Sequence, residues 1–374
     1  MFTRDKIDNF NFKVFDFSKI RKTSLILILP VIIILALGFC ALYSADTSLE
    51  LFYKQLFSML IFIPIFIVIS CLNPILIKRY SYLIYFGLLF LLFFTFLKGK
   101  IAMGAKRWLS IFGLKIQTSE FMKIGIILAI SKYFSQMRVK YIRSVFGIIL
   151  PFLIGFVPIF LVIIQPDLGT AMIIIILFIM MLFISGIKIW KFVLSGCIVV
   201  ISIPIIWANL HDYQKARVAN FLSPEKDKLG SGYSIYQSKI SIGSGGILGS
   251  GIGLGSQSKL KFVPENETDF IFTVVAEETG FIGSLILILS YIIMFIHGYT
   301  ASNQIKDFFL KVVTYSSVSL LFLHISINLA MTMGLVPVVG VPLPFVSYGR
   351  SSMFVSTLLL GFINNGVLNK NLDL

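Results

Sequence analysis

The sequence is poor in charged residues and in cysteine, and each shortage excludes a class of protein. Charged side chains make up 13% of the 374 residues and hydrophobic ones 57%, which is too apolar a balance for a soluble core to bury. The mean hydropathy of +0.94 indicates a membrane protein. Cys40, Cys71 and Cys197 lie in or beside apolar runs without metal-site spacing. The sequence therefore indicates neither a disulfide framework nor a zinc site.

Acidic residues are scarcer than basic ones. Seventeen Asp and Glu against thirty-two Lys and Arg leave a net charge of +15, which in a soluble domain would suggest nucleic acid. Here the basic residues mostly cluster between apolar runs, so anionic lipid headgroups or a phosphorylated lipid are the favoured partners and nucleic acid is not. The three histidines, His211, His297 and His324, show no ligand spacing and are interpreted as structural.

Ten hydrophobic runs are long enough to cross the hydrocarbon layer as helices. They predict an all-α polytopic membrane protein of one ten-helix domain, 24–366, with a large extracytoplasmic loop at 208–269 between helices 7 and 8. No clear cleavage site follows the first run, so we interpret it as a retained helix. Segments 1–23 and 367–374 are predicted tails. The predicted spans are 24–43, 53–72, 80–97, 120–136, 144–164, 168–184, 189–207, 270–296, 308–330 and 345–365.

Basic residues in the short loops predict the orientation of these helices. Most of them fall on one side if both termini are cytoplasmic. Two external segments break the pattern, because 98–119 carries five Lys or Arg and 208–269 carries seven. Long loops cross the membrane regardless of charge, which accounts for the second segment. The segment 98–119 is too short for this explanation. It either holds an anionic ligand at the outer face or rests on outer-leaflet headgroups.

Nine glycines fall between Gly230 and Gly255 in the external loop. Glycine allows positive φ and close approach, so this run could present backbone N–H groups to phosphate or could be a flexible linker. Neither GxGxxG nor GxxxxGK[ST] occurs, which disfavours a nucleotide fold. Before the denser glycines at 243–255, a pattern at helical spacing predicts a short interfacial helix, with Tyr233, Tyr236, Gln237 and Ile240.

Three acidic residues lie at or inside the eighth predicted helix. Asp269 falls where that helix begins, where partial desolvation would raise its pKa toward that of a proton acceptor; an N-cap role is equally open. Glu277 and Glu278 lie about two turns inside, where ionisable groups usually face the bundle interior. At 100° per residue Glu277 lies about 80° from Asp269 around the axis and Glu278 about 180°. Glu277 is thus the better candidate to share a cavity with Asp269, or it forms a buried pair with a basic partner.

Further candidates surround the fourth helix and the later loops. Glu120 and Lys123 share one helix face, where they could form a stabilising pair or supply a needed charge. Asp167 after Pro166 is typical of a helix N-cap. Three prolines among apolar residues forbid a regular helix at 337–344 and predict either a re-entrant wall or a tight interhelical turn.

Taken together, the motifs resemble those of the shape, elongation, division and sporulation family of bacterial cell-wall polymerases. The resemblance spans about residues 24–366 and is closer to the elongation member than to the division member. It implies a peptidoglycan glycosyltransferase that polymerises lipid II in the cytoplasmic membrane with undecaprenyl diphosphate as leaving group. It also implies a class B penicillin-binding protein and other elongation-complex membrane proteins as partners. The motifs are GAKRWL, TSEFMK, QPDLGTA, GSGYSIYQSKISIGSGG, FVPENETDFIF and GLVPVVGVPLPFVSYG.

The same resemblance assigns roles to residues. The family's essential aspartate falls on Asp269, its outer-loop arginine and tryptophan on Arg107 and Trp108, and the acid and lysine of the fourth helix on Glu120 and Lys123. The sequence departs from the family at two positions. Thr118 replaces a proline, which should loosen the helix start, and Arg350 replaces a glycine beside the proline-rich loop.

The implied chemistry needs one base, because diphosphate is already a good leaving group. Asp269 is the predicted base. Arg107, Lys123 and Arg217 or Lys239 would offset the charge growing on the diphosphate, and Trp108, Glu120 and Glu277 complete the predicted substrate-binding set. No cofactor is certain, although Mg²⁺ or Mn²⁺ could share the task. The alternatives are a flippase for lipid II, which needs no base, and an ion-coupled carrier, whose inverted repeats the sequence lacks.

Overall fold

The computed structural model describes residues 14–46, 48–102, 105–111, 114–137, 146–209 and 232–372. Within these ranges the chain is mainly helical, with one small antiparallel sheet. The helices are α1 (Leu25–Ala45), α2 (Glu50–Cys71), α3 (Pro74–Lys98), α4 (Thr118–Ser135), α5 (Phe146–Ile164), α6 (Leu168–Ile184), α7 (Ile189–Asn209), α8 (Tyr233–Ser244), α9 (Ser256–Lys259), α10 (Ile271–Gln304), α11 (Phe308–Thr332) and α12 (Arg350–Leu368).

Each of the ten predicted spans coincides with a long helix. By length and composition alone, seven helices of the described chain could cross a membrane: α1, α2, α3, α5, α10, α11 and α12. Helix α6 is apolar but shorter. Phe57, Leu83 and Phe90 are examples of the large apolar side chains that α2 and α3 leave exposed, as expected where lipid rather than water covers a helix. The chain is a multi-pass membrane protein.

Helices α4 and α11 form the centre of the bundle. Helix α4 is buried along almost its whole length and packs on α3 and α11, while α11 also packs on α6, α10 and α12. Glu120 and Lys123 are buried in α4, as expected of ionisable groups inside a membrane protein, which face the bundle interior. Lys132, near the end of α4, is partly exposed and donates to the carbonyl of Arg79.

The segment 98–119, predicted as a loop of an all-α chain, contains a three-stranded sheet. Its strands are β1 (Lys100–Ala102), β2 (Ala105–Ile111) and β3 (Leu114–Gln117), in the order β1-β2-β3. In the antiparallel register, Trp108 of β2 lies opposite Gln117 of β3. Polar and apolar residues alternate close to Phe112-Gly113 on both sides, which is a hairpin signal. The interpretation of 98–119 as a loop used only the cations of the segment.

Helix α10 is broken at Gly280, where φ is +65° and ψ is −160°. The break leaves backbone groups of the helix without intrahelical partners, and the glycine-rich segment 245–255 supplies them. Glycine is required in that segment because a Cβ at Gly245 or Gly249 would collide with carbonyl oxygens of α10. Segment 245–255 of the glycine-rich run is therefore an ordered clasp on the break and not a flexible linker, while Gly230 lies outside the described residues. The four bonds run from Phe281 N to Gly246 O, Ile282 N to Ile247 O, Ser250 N to Glu277 O and Gly251 N to Glu278 O.

The proline-rich segment between α11 and α12 is an irregular loop whose second half, 341–347, is mostly buried in the bundle; we call it the re-entrant loop (333–349). Its Ser347 carbonyl accepts a hydrogen bond from Gln55 Nε2 of α2 at 3.1 Å. The hydroxyl of Tyr291, on α10, donates to the carbonyl of Pro344 at 2.6 Å. Both contacts are made by residues in the middle of a helix, Gln55 and Tyr291. The loop therefore agrees better with the predicted re-entrant wall than with a tight interhelical turn.

Candidate active site

Asp269 lies two residues before the start of α10, in a segment tethered by its backbone. Asn328 Nδ2, on α11, donates to the carbonyl of Asp269 at 2.8 Å and to that of Val341 at 2.6 Å. The hydroxyl of Ser347 donates to the carbonyl of Thr268 at 2.6 Å. These hydrogen bonds join the segment that carries Asp269 to α11 and to the re-entrant loop. Together they fix the position of Asp269.

Gly340 of the re-entrant loop lies beside the Asp269 carboxylate. It has a φ of +75°, and a Cβ there would lie 3.3 Å from Asp269 Oδ2. Asp269 itself is only partly buried. Glycine at this position thus allows the loop its left-handed turn and leaves room next to the carboxylate. The N-cap position of α10 falls on Phe270, and the Thr268 hydroxyl donates to Glu265.

Arg107 and Trp108 are adjacent on β2, so their side chains lie on opposite faces of the sheet. Arg107 Nη1 is 3.5 Å from Asp167 Oδ1. Asp167 is the predicted N-cap of α6, and it accepts from the backbone N–H and the hydroxyl of Thr170. Gln117 Nε2 donates to the same carboxylate at 3.1 Å. Asp167 thus caps a helix and also holds the arginine in place.

The sheet is also joined to α12, the helix that follows the re-entrant loop. The backbone N–H of Gln117 donates to Ser351 Oγ at 3.2 Å. Thr118 begins α4 with its hydroxyl 2.9 Å from that of Thr95; that it loosens the helix start stays a prediction. Arg350 begins α12, and its buried Nε has no hydrogen-bond partner in the part of the chain that the structure describes.

Glu120 and Lys123 form a buried ion pair in α4. Lys123 is 0% exposed, and its Nζ is 2.6 Å from Glu120 Oε1. The same Nζ lies 2.8 Å from Nε2 of His324, on α11. The ion pair predicted from the helix spacing is therefore present. His324, interpreted from the sequence as structural, also contacts the lysine of this pair.

Lys239 lies over the start of the re-entrant loop. Helix α8, predicted from its aromatic spacing, packs on the end of α11, where Ser238 Oγ donates to the carbonyl of Thr332 at 2.5 Å. A Cβ at Gly334 would lie 3.0 Å from Lys239 Nζ, and Lys239 is exposed. The lysine and Asp269 thus lie beside two different ends of the segment 334–340. Arg217 lies outside the described residues.

Glu277 is buried, and its carboxylate accepts hydrogen bonds from neutral donors in the segment between α7 and α10. Ser258 contributes its hydroxyl at 2.5 Å and its N–H at 3.0 Å, and Gln257 its N–H at 2.8 Å. Ser241 Oγ lies at 3.2 Å. These donors, two of them at the N-terminus of α9, take the place of the basic partner considered above. They give Glu277 an anchoring role, and its contact with substrate stays a prediction.

Glu278 anchors the other part of the same loop. Ser44, at the end of α1, donates to its carboxylate, and the backbone N–H groups of Gly253 and Gly255 face it. Both acids therefore hold the glycine-rich segment on α10. A metal centre has no preformed cluster in the described ranges, where no group of three His, Cys, Asp or Glu side chains could hold an ion; a single carboxylate with substrate oxygens is a different kind of site, and Mg²⁺ or Mn²⁺ binding stays a prediction.

Sequence reasoning missed two residues that position Asp269. Asn328 is an amide in an apolar helix, and buried polar groups at such positions usually have a specific partner. Gly340 lies in a loop that was interpreted from its prolines alone. Because the partners of both residues are distant in sequence, only the fold reveals them.

Comparisons with known proteins show the family to which the chain belongs. The family model for FtsW, RodA and SpoVE, described as "Cell cycle protein", matches residues 18–371. The chain is 42% identical to the peptidoglycan glycosyltransferase MrdB of Escherichia coli over 71% of its length and 70% of the relative's. It is 33% identical to the probable peptidoglycan glycosyltransferase FtsW of Borreliella burgdorferi over 92% and 96% of the two chains.

A solved structure extends the likeness to three dimensions. It is described as "Structural coordination of polymerization and crosslinking by a peptidoglycan synthase complex", and its matching chain is 27% identical with a TM-score of 0.82. The match covers 94% of this chain and 99% of the other. The overall fold described above therefore matches that of a solved structure.

Proposed function

The chain belongs to the family of FtsW, RodA and SpoVE, and on this premise we propose that it is a peptidoglycan glycosyltransferase that polymerises lipid II. The role we favour is wall synthesis during elongation, as in RodA. The names of the relatives and the sequence of the re-entrant loop support this choice. Septal synthesis, as in FtsW, is the alternative with the same chemistry.

In the proposed step, Asp269 is the general base. Its carboxylate takes the proton from a sugar hydroxyl of the acceptor while that oxygen attacks the anomeric carbon of the donor. The bond from this carbon to the diphosphate breaks, and the electron pair leaves with undecaprenyl diphosphate. Attack from the face opposite the leaving group inverts the α linkage to β. One carboxylate is enough, because the diphosphate leaves without being protonated.

Positive side chains would stabilise the charge that grows on the leaving diphosphate. Lys239 is exposed beside the re-entrant loop, and Arg107 is held by Asp167 at the adjoining sheet. Arg217 is a further candidate from the sequence, and Lys123 would act from within the bundle. A well-aimed donor of this kind is worth about 2.7–4 kcal/mol in other enzymes. Trp108 and Glu120 complete the proposed substrate-binding set.

The observation that carries the proposal is the fixed yet accessible carboxylate of Asp269. Its backbone is bonded to Asn328, its neighbour Thr268 to Ser347, and its carboxylate is bordered by Gly340, which has no side chain. A base must be held within hydrogen-bond reach of the proton that it abstracts. Rigid tethering together with free space on one side meets that requirement.

The test is polymerisation of labelled lipid II by the purified protein. Asp269→Asn keeps the size of the side chain but loses its basicity, so we expect no glycan chains. Asp307→Asn is the matched control: Asp307 is a carboxylate that caps α11, and asparagine caps equally well. Its rate should stay near that of the wild type. Glycan synthesis at the wild-type rate by Asp269→Asn would refute the assignment.

A flippase for lipid II would use the same cationic surface without forming a bond. Only polymerisation needs a base beside the acceptor, so glycan chains made in detergent, where no membrane separates two sides, exclude a pure flippase. The same assay with a chelator tests the proposed divalent cation. If Mg²⁺ or Mn²⁺ offsets diphosphate charge, the chelator should lower the rate and added metal should restore it.

We further propose a class B penicillin-binding protein as partner, along with other membrane proteins of the elongation complex. A structure of a peptidoglycan synthase complex among the relatives supports the first of these. The proposed orientation has both termini in the cytoplasm and Asp269 on the outer face. Reporter fusions after α12 and within the external loop test this orientation, because opposite sides should give opposite signals.

A further inference from the structure

His324 and Lys123 meet inside the bundle with a geometry that restricts the state of the imidazole. Nε2 of His324 lies 2.8 Å from Lys123 Nζ, and both side chains are buried, at 1% and 0% exposure. An ammonium group has three donors and no lone pair. The contact is therefore a hydrogen bond only if Nε2 accepts, which leaves the proton of the neutral ring on Nδ1.

We propose that His324 is a positioning residue that aims the Lys123 ammonium during glycan transfer. The inference rests on the proposed function and deepens it. Glu120 alone would hold the lysine by charge, but one contact leaves the ammonium free to rotate about its four-carbon stem. A second contact from α11 fixes Nζ between two helices, so the charge takes a defined position relative to α11.

The same face of α11 also positions the base. Asn328 lies four residues after His324, one turn further along the helix, and donates to the carbonyl of Asp269. Residues four apart lie on one face of a helix. One helix face therefore holds both the buried positive charge and the segment that carries the proposed base, which sets their relative geometry.

Unsatisfied polar atoms indicate that this cluster is more than a packing contact. In the described part of the chain, Glu120 Oε2, His324 Nδ1 and Asn328 Oδ1 are buried and have no hydrogen-bond partner. Buried polar atoms are nearly always satisfied by protein or by ordered water. A group selected only for packing would be apolar, whereas these three atoms keep hydrogen-bonding capacity that no contact in the described residues uses.

Glutamine and asparagine at position 324 separate positioning from packing. The amide oxygen of glutamine reaches the place of Nε2, whereas that of asparagine reaches only the place of Nδ1. We expect His324→Gln to keep at least half of the wild-type kcat for lipid II polymerisation. We expect His324→Asn and His324→Leu to lower kcat at least tenfold while KM changes less than threefold, because charge on the diphosphate is greatest in the transition state.

A double-mutant cycle tests whether His324 acts through Lys123. In a Lys123→Met background, His324→Asn should cause no further loss, since coupled residues are non-additive. His297→Asn is the matched control: His297 is the other described histidine of a membrane helix, on α10. It should leave kcat near the wild-type value. Thermal unfolding of each variant identifies any that do not fold.

Three results would overturn the inference: equal activity of the glutamine and asparagine variants, wild-type kcat in the asparagine variant, or additive losses in the Lys123→Met background. Failure of the proposed function is a separate result, because then the wild-type protein itself would make no glycan. If His324→Leu does not fold, the comparison of glutamine with asparagine still decides the question.

Discussion

Asn328 on α11 donates a hydrogen bond from its side-chain amide to the backbone carbonyl of Asp269 at 2.8 Å. The second hydrogen of the same amide goes to the carbonyl of Val341, at 2.6 Å. A single side chain thus joins the proposed base to the re-entrant loop, although the three residues belong to three separate segments of the chain. The position of the carboxylate depends on this amide as much as on its own helix.

Replacing Asn328 with leucine should therefore impair catalysis as well as stability. The substitution removes the donors to the part-buried carbonyl of Asp269 and to the buried carbonyl of Val341, and an unpaired buried carbonyl costs about 1–3 kcal/mol. We expect the rate of glycan synthesis to fall at least tenfold. The matched control is Asn365→Leu, since the Asn365 amide reaches the carbonyls of Ile69, Ser70 and Leu72, at the end of α2. It should lower the Tm by a similar amount and leave kcat unchanged; equal effects on kcat would contradict a specific role for Asn328.

Gly340→Ala should lower activity through space and backbone strain together. The new methyl group would lie 3.3 Å from Asp269 Oδ2 at a φ of +75°, and a left-handed alanine costs about 1–2 kcal/mol. We expect a fall in kcat of at least fivefold. Gly186→Ala separates the two causes, because Gly186 has a φ of +88° but open space around it. That control should show the loss of stability alone, and a comparable loss of activity in it would remove the argument from space.

Glu277→Gln should destabilise the protein and spare the chemistry. The amide would place an N–H₂ group among the donors of Ser241, Gln257 and Ser258, and each lost buried bond costs about 1–3 kcal/mol. We expect a lower Tm and earlier proteolysis of the segment 245–259, with kcat within threefold of wild type at low temperature. Glu265→Gln, at an exposed carboxylate, is the control. A kcat loss as large as that of Asp269→Asn would instead assign Glu277 to the reaction.

Asp46, between α1 and α2, should contribute a pH-dependent term to stability. Burial acts to raise the pKa of Asp46, but hydrogen bonds from Ser48, Phe52 and Leu51 outweigh it and hold the pKa below its ordinary value of 3.8. A carboxylate with a lowered pKa stabilises the folded state above the ordinary value, and that contribution is lost as the pH falls through the folded pKa. Asp46→Asn should lower the Tm at pH 7 by about 1–3 °C, since charge at a helix N-terminus is worth about 0.3–1 kcal/mol.

The measurement is the Tm of the wild-type protein and of Asp46→Asn, in detergent, from pH 7 to pH 3. The difference between them should shrink as the pH falls below 3.8. Glu50→Gln, at an exposed residue of α2, provides the control and should behave like the wild type. A difference that stays constant over the whole range would show that the charge of Asp46 contributes nothing.

The sequence predicted the helices because membrane spans are local patterns. Each of the ten runs coincides with a helix, since about 20 apolar residues in one stretch suffice to define a span. The sheet at 100–117 was missed because its cations were interpreted as a ligand-binding or lipid-binding loop. The break at Gly280 was missed because one glycine inside a helical pattern does not distinguish an interrupted helix from a continuous one.

The site was predictable in its residues but not in their partners. Asp269 was identified from its place at a helix border and from the family resemblance, and Lys123 from its charge inside a span. Their contacts with Asn328 and His324 join elements that are distant in sequence, as does the contact of Arg107 with Asp167. Sequence spacing indicates which residues share a helix face, whereas such contacts depend on how the helices pack.

The clasp on the break in α10 has a mechanical consequence. If the glycine-rich segment separated from α10, two N–H groups after Gly280 and two carbonyls before it would lose their hydrogen-bond partners. Such unpaired groups are costly where little water can reach them. Any sideways swing of the lipid-facing part of α10 must therefore drag the glycine-rich segment and α9 with it. A protein that binds the glycine-rich segment would thus be able to shift a helix within the bilayer.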